Sequence, residues 1–301
     1  MKESILDVNL ESDIKSIVMK KILVPCDFSA PSKEAYKFAL EIASVSTGEI
    51  YVVHCIELPL VYETTFGVQP RSLDSEARKK LKEGATAAFE KLKQSFYTPA
   101  QTPVYFEMLN DLMLPGISKF VEERQIDLVV MGTSGSEGLE EFLIGSNTEK
   151  IVRFSPVPVV ALTKATAYGS IQHIVFPNSL ELNQSDLIAH VKNLQAFFKA
   201  KLHVLTIATP SDFKTNQEAQ EALEEFANHY KLNNYTLNFR NDFNERDGIL
   251  NFTKEIQAQM IALGTHSYKG LKHLINGSIA ESVVNHNECP VWTFSIRQTS
   301  K

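Results

Sequence analysis

Three glycines and a serine in the first half of this 301-residue chain follow the spacing Gly132-x2-Gly135-x9-Gly145-Ser146. Glycines let backbone N–H groups approach a ligand closely, and the N-terminus of a helix attracts anions. A stretch with helical spacing follows Gly145, so the Ser146 hydroxyl can cap that helix or bind a phosphate oxygen. The spacing therefore indicates a site for a phosphate chain, although loop glycines also serve turn geometry alone.

A carboxylate complements this loop at the end of the first predicted strand. Asp27 directly follows the apolar run 22–26, and Gly132 directly follows the strand predicted over 127–131. In open α/β sheets, ligands bind beyond the carboxyl ends of the strands, so we expect both residues at one edge of the sheet. There the Asp27 carboxylate can accept hydrogen bonds from a ribose hydroxyl or from the amine of a base.

Strands alternate with helices throughout the first half of the chain. Most of the predicted strands are continuous apolar runs, which is typical of a parallel sheet with both faces covered. Right-handed crossovers between such strands give a doubly wound α/β domain. The predicted strands are 22–26, 50–56, 104–108, 127–131 and 158–162, and the predicted helices run over 31–47, 73–95, 117–124 and 146–154.

The same order of strands and helices begins again at His173. When 132–159 is aligned with 264–291, ten of the 28 positions are identical: Gly132, Thr133, Gly138, Leu139, Gly145, Ser146, Glu149, Val152, Pro158 and Val159 of the first segment. An internal duplication explains this likeness. We therefore predict two tandem α/β domains, each with a five-stranded, mostly parallel sheet and helices on both faces.

Composition excludes several classes of protein. The net charge is −6 and hydrophobic residues make up 44% of the chain, which favours a globular protein over one that binds nucleic acid by phosphate neutralisation. The cysteines Cys26, Cys55 and Cys289 lack paired spacing, so we predict a reducing compartment rather than a disulfide scaffold. Since neither a signal peptide nor a membrane span is found, we expect a cytoplasmic protein with no nucleic-acid or membrane partner.

Several segments resemble the universal stress protein (UspA) family. The run Met19–Ser29 is similar to the opening of the family's domain, and the 132–146 loop is similar to its ATP-binding motif. The following Glu149–Val152 and Pro156–Val160 are also similar, and the likeness covers nearly the whole chain twice. The resemblance implies a Rossmann-like fold of the adenine nucleotide alpha hydrolase type, in tandem. It also implies ATP, ADP or AMP as the ligand, with or without Mg.

Eight positions of the first copy match residues that contact the nucleotide in ATP-binding members of the family. By this resemblance, Asp27 contacts the nucleotide, the backbone of Cys55 contacts adenine, and Met131 lies at the adenine pocket. The positions that match ribose and phosphate contacts are Gly132, Gly135, Gly145, Ser146 and Asn147. The first copy thus keeps the complete nucleotide-binding pattern. The resemblance implies no metal ligand and no catalytic residue.

The second copy departs from that pattern. Ser179 stands opposite Asp27, which removes the carboxylate. Ser267 stands opposite Gly135, which places a Cβ where the backbone would approach phosphate. We therefore expect nucleotide binding in the first copy and weak or no binding in the second. The expected boundaries are an N-terminal extension over 1–18, a first domain over 19–164 and a second domain over 170–298.

Three functions fit these observations: a stress-response regulator that binds nucleotide, a slow ATPase or nucleotide hydrolase, and a ligand-free scaffold of paired domains. Near the loop we find no Gly-Lys-Ser/Thr phosphate-binding sequence and no general-base histidine, so the intact motif favours the regulator.

The resemblance also implies pairing of domains, since single-domain family members form dimers. Two fused domains can make that pairing within one chain, and the remaining edges of the closing strands are then expected to join chains into a homodimer. Trp292 aligns with Val160 inside the closing strand. It is either an interface anchor or a core residue.

Overall fold

The computed structural model describes residues 19–56, 75–97, 101–133, 146–265, 280, 283–284 and 289–295. The strands in these ranges are β1 (Lys21–Pro25), β2 (Glu49–Cys55), β3 (Val104–Leu109), β4 (Leu128–Gly132), β5 (Val159–Leu162), β6 (His173–Pro177), β7 (Lys201–Ala208), β8 (Tyr235–Asn241), β9 (Met260–Gly264) and β10 (Val291–Phe294). The helices are α1 (Ala30–Ser46), α2 (Ser75–Ser95), α3 (Met113–Arg124), α4 (Ser146–Phe154), α5 (Ser185–Phe198), α6 (Asn216–His229) and α7 (Glu245–Glu255). A 3-10 turn, Tyr168–Ser170, lies between the two halves.

The strands form one sheet in the order β3-β2-β1-β4-β5-β10-β9-β6-β7-β8. Neighbouring strands within each half run parallel, whereas β5 and β10, which join the halves, pair antiparallel. Each half therefore contributes a five-stranded parallel sheet with a doubly wound strand order. The predicted α/β fold class is confirmed.

Alternation along the strands divides the core between the two faces of the sheet. In β1, Ile22 and Val24 belong to one core cluster, whereas Leu23 between them belongs to the other. Apolar side chains of α1, α2, α5 and α6 cover the first face, and those of α3, α4 and α7 cover the second. Because both faces are covered, successive strand residues must be apolar, which explains the continuous apolar runs in the sequence.

Helix α1 starts close to the end of β1 and so fixes the turn between them. The Ser29 side chain accepts a hydrogen bond from the Ser32 N–H as the N-cap, and Pro31 lies in the first turn, where both residue types are favoured. The helix ends at Ser46, and its C-cap residue Thr47 has a left-handed φ of 51°. None of the described helices is both long enough and apolar enough to cross a membrane.

Trp292 lies at the seam between the two halves. It pairs with Val160 across the antiparallel junction of β5 and β10 and is 1% exposed. Its ring belongs to the core on the face covered by α1 and α5, and it stacks on Phe294 with ring centroids 6.2 Å apart. The residue therefore serves both the interface between the halves and the core.

The prediction that the closing strands leave edges for a homodimer is corrected by the strand order. β5 lies between β4 and β10, and β10 lies between β5 and β9, so both edges of each closing strand are occupied within the chain. In the described part of the sheet, the outermost strands are β3 and β8. The duplication has placed the pairing of closing strands inside one polypeptide.

Candidate functional site

The carboxyl ends of β1 and β4 frame a crevice where the strand order reverses. From β1 the chain continues into β2 on one side, whereas β4 lies on the other side, and open α/β sheets bind ligands at such a switch point. Gly132 brings the two ends into contact. An ideal Cβ at Gly132 would clash with the Pro31 carbonyl group and lie 2.7 Å from the Ser32 backbone nitrogen. The turn after β1 therefore packs directly against the end of β4.

Asp27 lies in this turn with its side chain exposed. Its Oδ1 accepts a hydrogen bond from the Ser29 N–H at 3.0 Å. Partial burial raises the pKa of the carboxyl group, but hydrogen bonds from the side chain and backbone of Ser29 and from the Ser32 side chain outweigh that effect, so the pKa lies below its ordinary value. Asp27 is therefore an ionised acceptor at neutral pH.

Phe28 gives the same turn a left-handed backbone, with a φ of 65°, which is uncommon outside glycine, asparagine and aspartate. His54 at the end of β2 supports it. The His54 Nδ1 lies 2.8 Å from the Cys26 carbonyl oxygen, and its ring centroid lies 5.1 Å from that of Phe28. Because a carbonyl oxygen only accepts, Nδ1 carries the proton. The sequence analysis did not predict this role for His54. The available signal is that Cys26 and His54 lie at the neighbouring ends of β1 and β2.

The two residues predicted at the adenine pocket are largely enclosed. Cys55 is the last residue of β2 and is half-buried, whereas Met131 is 4% exposed and packs in the core beneath α3 and α4. Cys26, the residue that follows β1, is also buried, and burial raises the pKa of its thiol, which donates to the Ser32 hydroxyl at 3.5 Å. None of the three cysteines forms a disulfide.

The N-terminus of α4 is anchored at the end of β4. In its first turn, the Thr148 hydroxyl donates to the Gly132 carbonyl oxygen at 3.4 Å, and Asn147 is half-buried next to it. The first N–H groups of a helix lack partners within the helix and favour an anion, so this end of the crevice suits phosphate. Gly135, Gly145 and the side chain of Ser146 lie outside the described residues, although Ser146 begins the helix.

In the second half, amide groups hold the corresponding turn. Leu180 repeats the left-handed backbone of Phe28, with a φ of 68°. Its N–H donates to Oδ1 of the buried Asn178 at 2.7 Å, and Asn178 Nδ2 donates to Gln184 Oε1 at 2.8 Å. Ser179 brings a hydroxyl and no charge to the position that holds a carboxylate in the first half. The two turns share a backbone shape but differ in electrostatics.

Ser29→Ala is expected to lower the free energy of unfolding by about 1 kcal/mol, because α1 loses its N-cap. It also removes a hydrogen bond that lowers the pKa of Asp27, so that pKa should rise toward its ordinary value. Urea unfolding measures the first effect and an NMR titration the second. Thr215→Ala removes the N-cap of α6 and is the control. An Asp27 pKa that is equal in the two variants would contradict the role given to Ser29.

The fold and the crevice define the class of protein: two doubly wound α/β domains joined through their closing strands, with a switch-point crevice in each. Comparison with protein-family models identifies the family within this class. The model of the universal stress protein family matches residues 19–163 and, a second time, residues 171–295. These matches span most of the chain, which therefore belongs to the universal stress protein family.

Individual relatives agree with this assignment. Universal stress protein MJ0531 of Methanocaldococcus jannaschii is 32% identical over 146 residues, which are 48% of this chain and 82% of the relative. The crystal structure of a universal stress protein from Archaeoglobus fulgidus is similar over 93% of this chain and 97% of that chain, with a TM-score of 0.68 and 19% identity, which shows the fold alone. A universal stress protein solved in complex with cAMP covers 42% of this chain and 97% of its own, with a TM-score of 0.34 and 16% identity. Nothing about the ligand of this chain follows from that last likeness.

Proposed function

We propose that the first half of the chain binds ATP, ADP or AMP in the crevice between β1 and β4 and acts in stress responses as a nucleotide-dependent regulator. The observation that carries this proposal is the contact of the Asp27–Ser32 turn with Gly132, beside the start of α4. This contact brings the ionised carboxylate of Asp27, which suits the ribose or base, close to a helix N-terminus, which suits phosphate. These are the two ends of an adenine nucleotide.

Each part of the nucleotide has its own residues in this proposal. Asp27 accepts hydrogen bonds from ribose hydroxyls or the adenine amine, the backbone of Cys55 contacts adenine, and Met131 underlies the adenine pocket. The ribose and phosphates contact Gly132, Gly135, Gly145, Ser146 and Asn147. The binding domain spans 19–164 and follows an extension over 1–18, and the second domain spans 170–298.

We assign no protein ligand to Mg and no catalytic residue to the first half. In the part of the chain that the structure describes, no three His, Cys, Asp or Glu side chains gather where a metal ion could bind. The imidazole of His54 donates its Nδ1 proton to the Cys26 carbonyl oxygen and braces the turn. Sustained release of phosphate from ATP that disappears in Asp27→Asn would instead favour the ATPase alternative.

Isothermal titration of the full chain with ATP tests the site. We expect one site per chain and an affinity about tenfold weaker for Asp27→Asn, since the amide keeps the acceptor for the Ser29 N–H but loses the charge. Ser179→Ala alters the corresponding position of the second half and is the matched control, with unchanged affinity. Mass spectrometry of the nucleotide released from denatured protein distinguishes ATP from ADP and AMP.

Three results would count against the proposal. Two equivalent sites per chain would contradict the division between the halves. Equal affinity of Asp27→Asn and the unaltered chain would remove Asp27 from the site. Failure of ATP, ADP and AMP alike to bind would favour the scaffold alternative.

A further inference from the structure

A cleft lies at the carboxyl ends of β7 and β8, next to the crevice of the second half. One part of it is a mainly apolar cavity of about 510 Å³ lined by Phe213 and Phe243, among other residues. A more polar cavity of about 270 Å³, lined by Ser179 among other residues, lies at the ends of β6 and β7 in the crevice of the second half itself. The two cavities are neighbours, since Ile207 lines the polar one and Ala208 the apolar one. Pockets of roughly 300–1,000 Å³ that are lined mostly by apolar groups suit small organic ligands.

The two phenylalanines present unusually large apolar surfaces to solvent. Phe213 is 76% exposed and Phe243 is 89% exposed, although both line the cavity. A single exposed apolar side chain needs no explanation, but two that frame one cavity mark a binding surface. Aromatic faces stack on flat apolar groups and attract cations. The cavity walls therefore suit an apolar stem and a positively charged group.

Carboxylates dominate the charged groups of the cleft. Asp242 lines the apolar cavity, and Glu181, Asp212 and Glu245 line the polar one. Lys214 is the one cation among the described lining residues, and it already pairs with Asp212 at 3.6 Å. The described lining residues thus carry a net negative charge, which attracts a cation and repels a phosphate.

Among the described residues, two arginines close in sequence to Asp242 already have carboxylate partners. Arg240 pairs with Glu255 at 2.8 Å, and Arg246 pairs with Asp247 at 2.7 Å. Asp242 is fixed in place because its carboxylate accepts from the Phe243 N–H at 2.7 Å. A carboxylate held beside an exposed phenylalanine is a suitable receptor for an ammonium group.

We infer that this cleft binds a small organic amine, a protonated ammonium group on an aromatic or aliphatic stem. The stem occupies the apolar cavity between Phe213 and Phe243, and the ammonium group faces Asp242 and the carboxylates of the polar cavity. A free small molecule is favoured over a protein partner by the size of the cavity and by its place at the carboxyl ends of parallel strands. The inference is independent of nucleotide binding, because it rests on other residues in the other half of the chain.

Three phenyl compounds that differ in one terminal group test the inference. The full chain is titrated with 2-phenylethylamine, 2-phenylethanol and 3-phenylpropionate, and binding is followed by calorimetry. We expect the amine to bind, the alcohol to bind about fivefold more weakly and the carboxylate not to bind. Added salt should weaken the amine complex and leave the alcohol complex unchanged.

Two variants separate the apolar and the charged contributions. Phe243→Ala should weaken both the amine and the alcohol, and the fold should tolerate it because the side chain is exposed. Asp242→Asn keeps an acceptor for the Phe243 N–H and removes the charge, so it should weaken the amine alone. Tyr97→Ala removes an 88% exposed aromatic side chain from the first half and should leave both complexes unchanged.

Several outcomes would overturn the inference. These are the absence of amine binding at millimolar concentration, equal binding of 3-phenylpropionate, and equal loss of binding in Tyr97→Ala. Displacement of the amine by ATP would also overturn it, because the cleft would then belong to a nucleotide site. Failure of the first half to bind ATP would leave amine binding intact, so the two proposals fail separately.

Discussion

Gly132→Ala is expected to lower the free energy of unfolding by about 3 kcal/mol, at the upper end of the usual cost of overpacking. The added Cβ would overlap the Pro31 carbonyl group and lie 2.7 Å from the Ser32 backbone nitrogen. These are backbone atoms in the first turn of α1, which Ser29 caps. Backbone cannot rotate aside as a side chain does, so α1 and β4 must move apart.

Gly264 provides the matched control, because it ends β9 as Gly132 ends β4. A Cβ at Gly264 would lie 2.8 Å from Leu187 Cδ2, the far end of a flexible side chain that can turn away. Gly264→Ala is therefore expected to lower the free energy of unfolding by about 1 kcal/mol. Neither glycine has a left-handed φ. The difference in lost unfolding free energy between the two variants therefore reports the close approach of backbone atoms to Gly132. Urea unfolding followed by circular dichroism measures both, and equal losses would contradict the argument.

The order of strands and helices was predictable because local patterns encode it. The apolar runs that end at Cys26 and Met131 correspond to β1 and β4, and the second half repeats them. Helix starts were less accurate, since α3 begins at Met113 rather than at the predicted position 117. Its N-cap residue, Leu112, accepts no side-chain hydrogen bond, so the sequence carries no capping signal at this start.

The shape of the candidate site was less predictable because it depends on contacts between distant residues. Phe28 and Leu180 adopt left-handed backbones although neither residue type favours them. His54 supports one turn from a neighbouring strand, and Asn178 supports the other through its own side chain. The amine cleft likewise depends on the loops that follow β7 and β8. No local sequence pattern predicts that these two loops lie next to each other.

Acidification is expected to destabilise the second half through a pair of neighbouring histidines, one buried and one half-buried. His203 is 8% exposed; its Nε2 lies 2.9 Å from His173 Nδ1, and its Nδ1 lies 2.7 Å from the Thr236 hydroxyl. Asn238 Nδ2 donates to that same hydroxyl at 3.0 Å. That hydroxyl keeps its own proton to donate, and it donates to His203 Nδ1 when that nitrogen carries no proton. This arrangement requires a neutral His203 ring.

The direction of the pH effect follows from the pKa of His203. Burial, the neighbouring His173 and the charge of Lys201 lower this pKa from 6.5 to about 4. Between these two values the unfolded chain binds a proton that the folded chain does not, so stability is complete above the unfolded pKa and is lost as the pH falls toward the folded one. A shift of this size corresponds to about 3 kcal/mol.

His203→Gln should reduce this pH dependence, because glutamine does not titrate. The variant also loses the contact with His173, so its stability falls at every pH. The prediction therefore concerns only the difference in unfolding free energy between about pH 7 and about pH 4.5, measured in urea. His229→Gln, at an exposed position, is the control and should keep the full difference. Part of this difference in unfolding free energy should persist even in His203→Gln, since burial also lowers the pKa of His190. A His203 pKa near 6.5 in an NMR titration of the unaltered chain would contradict the neutral network.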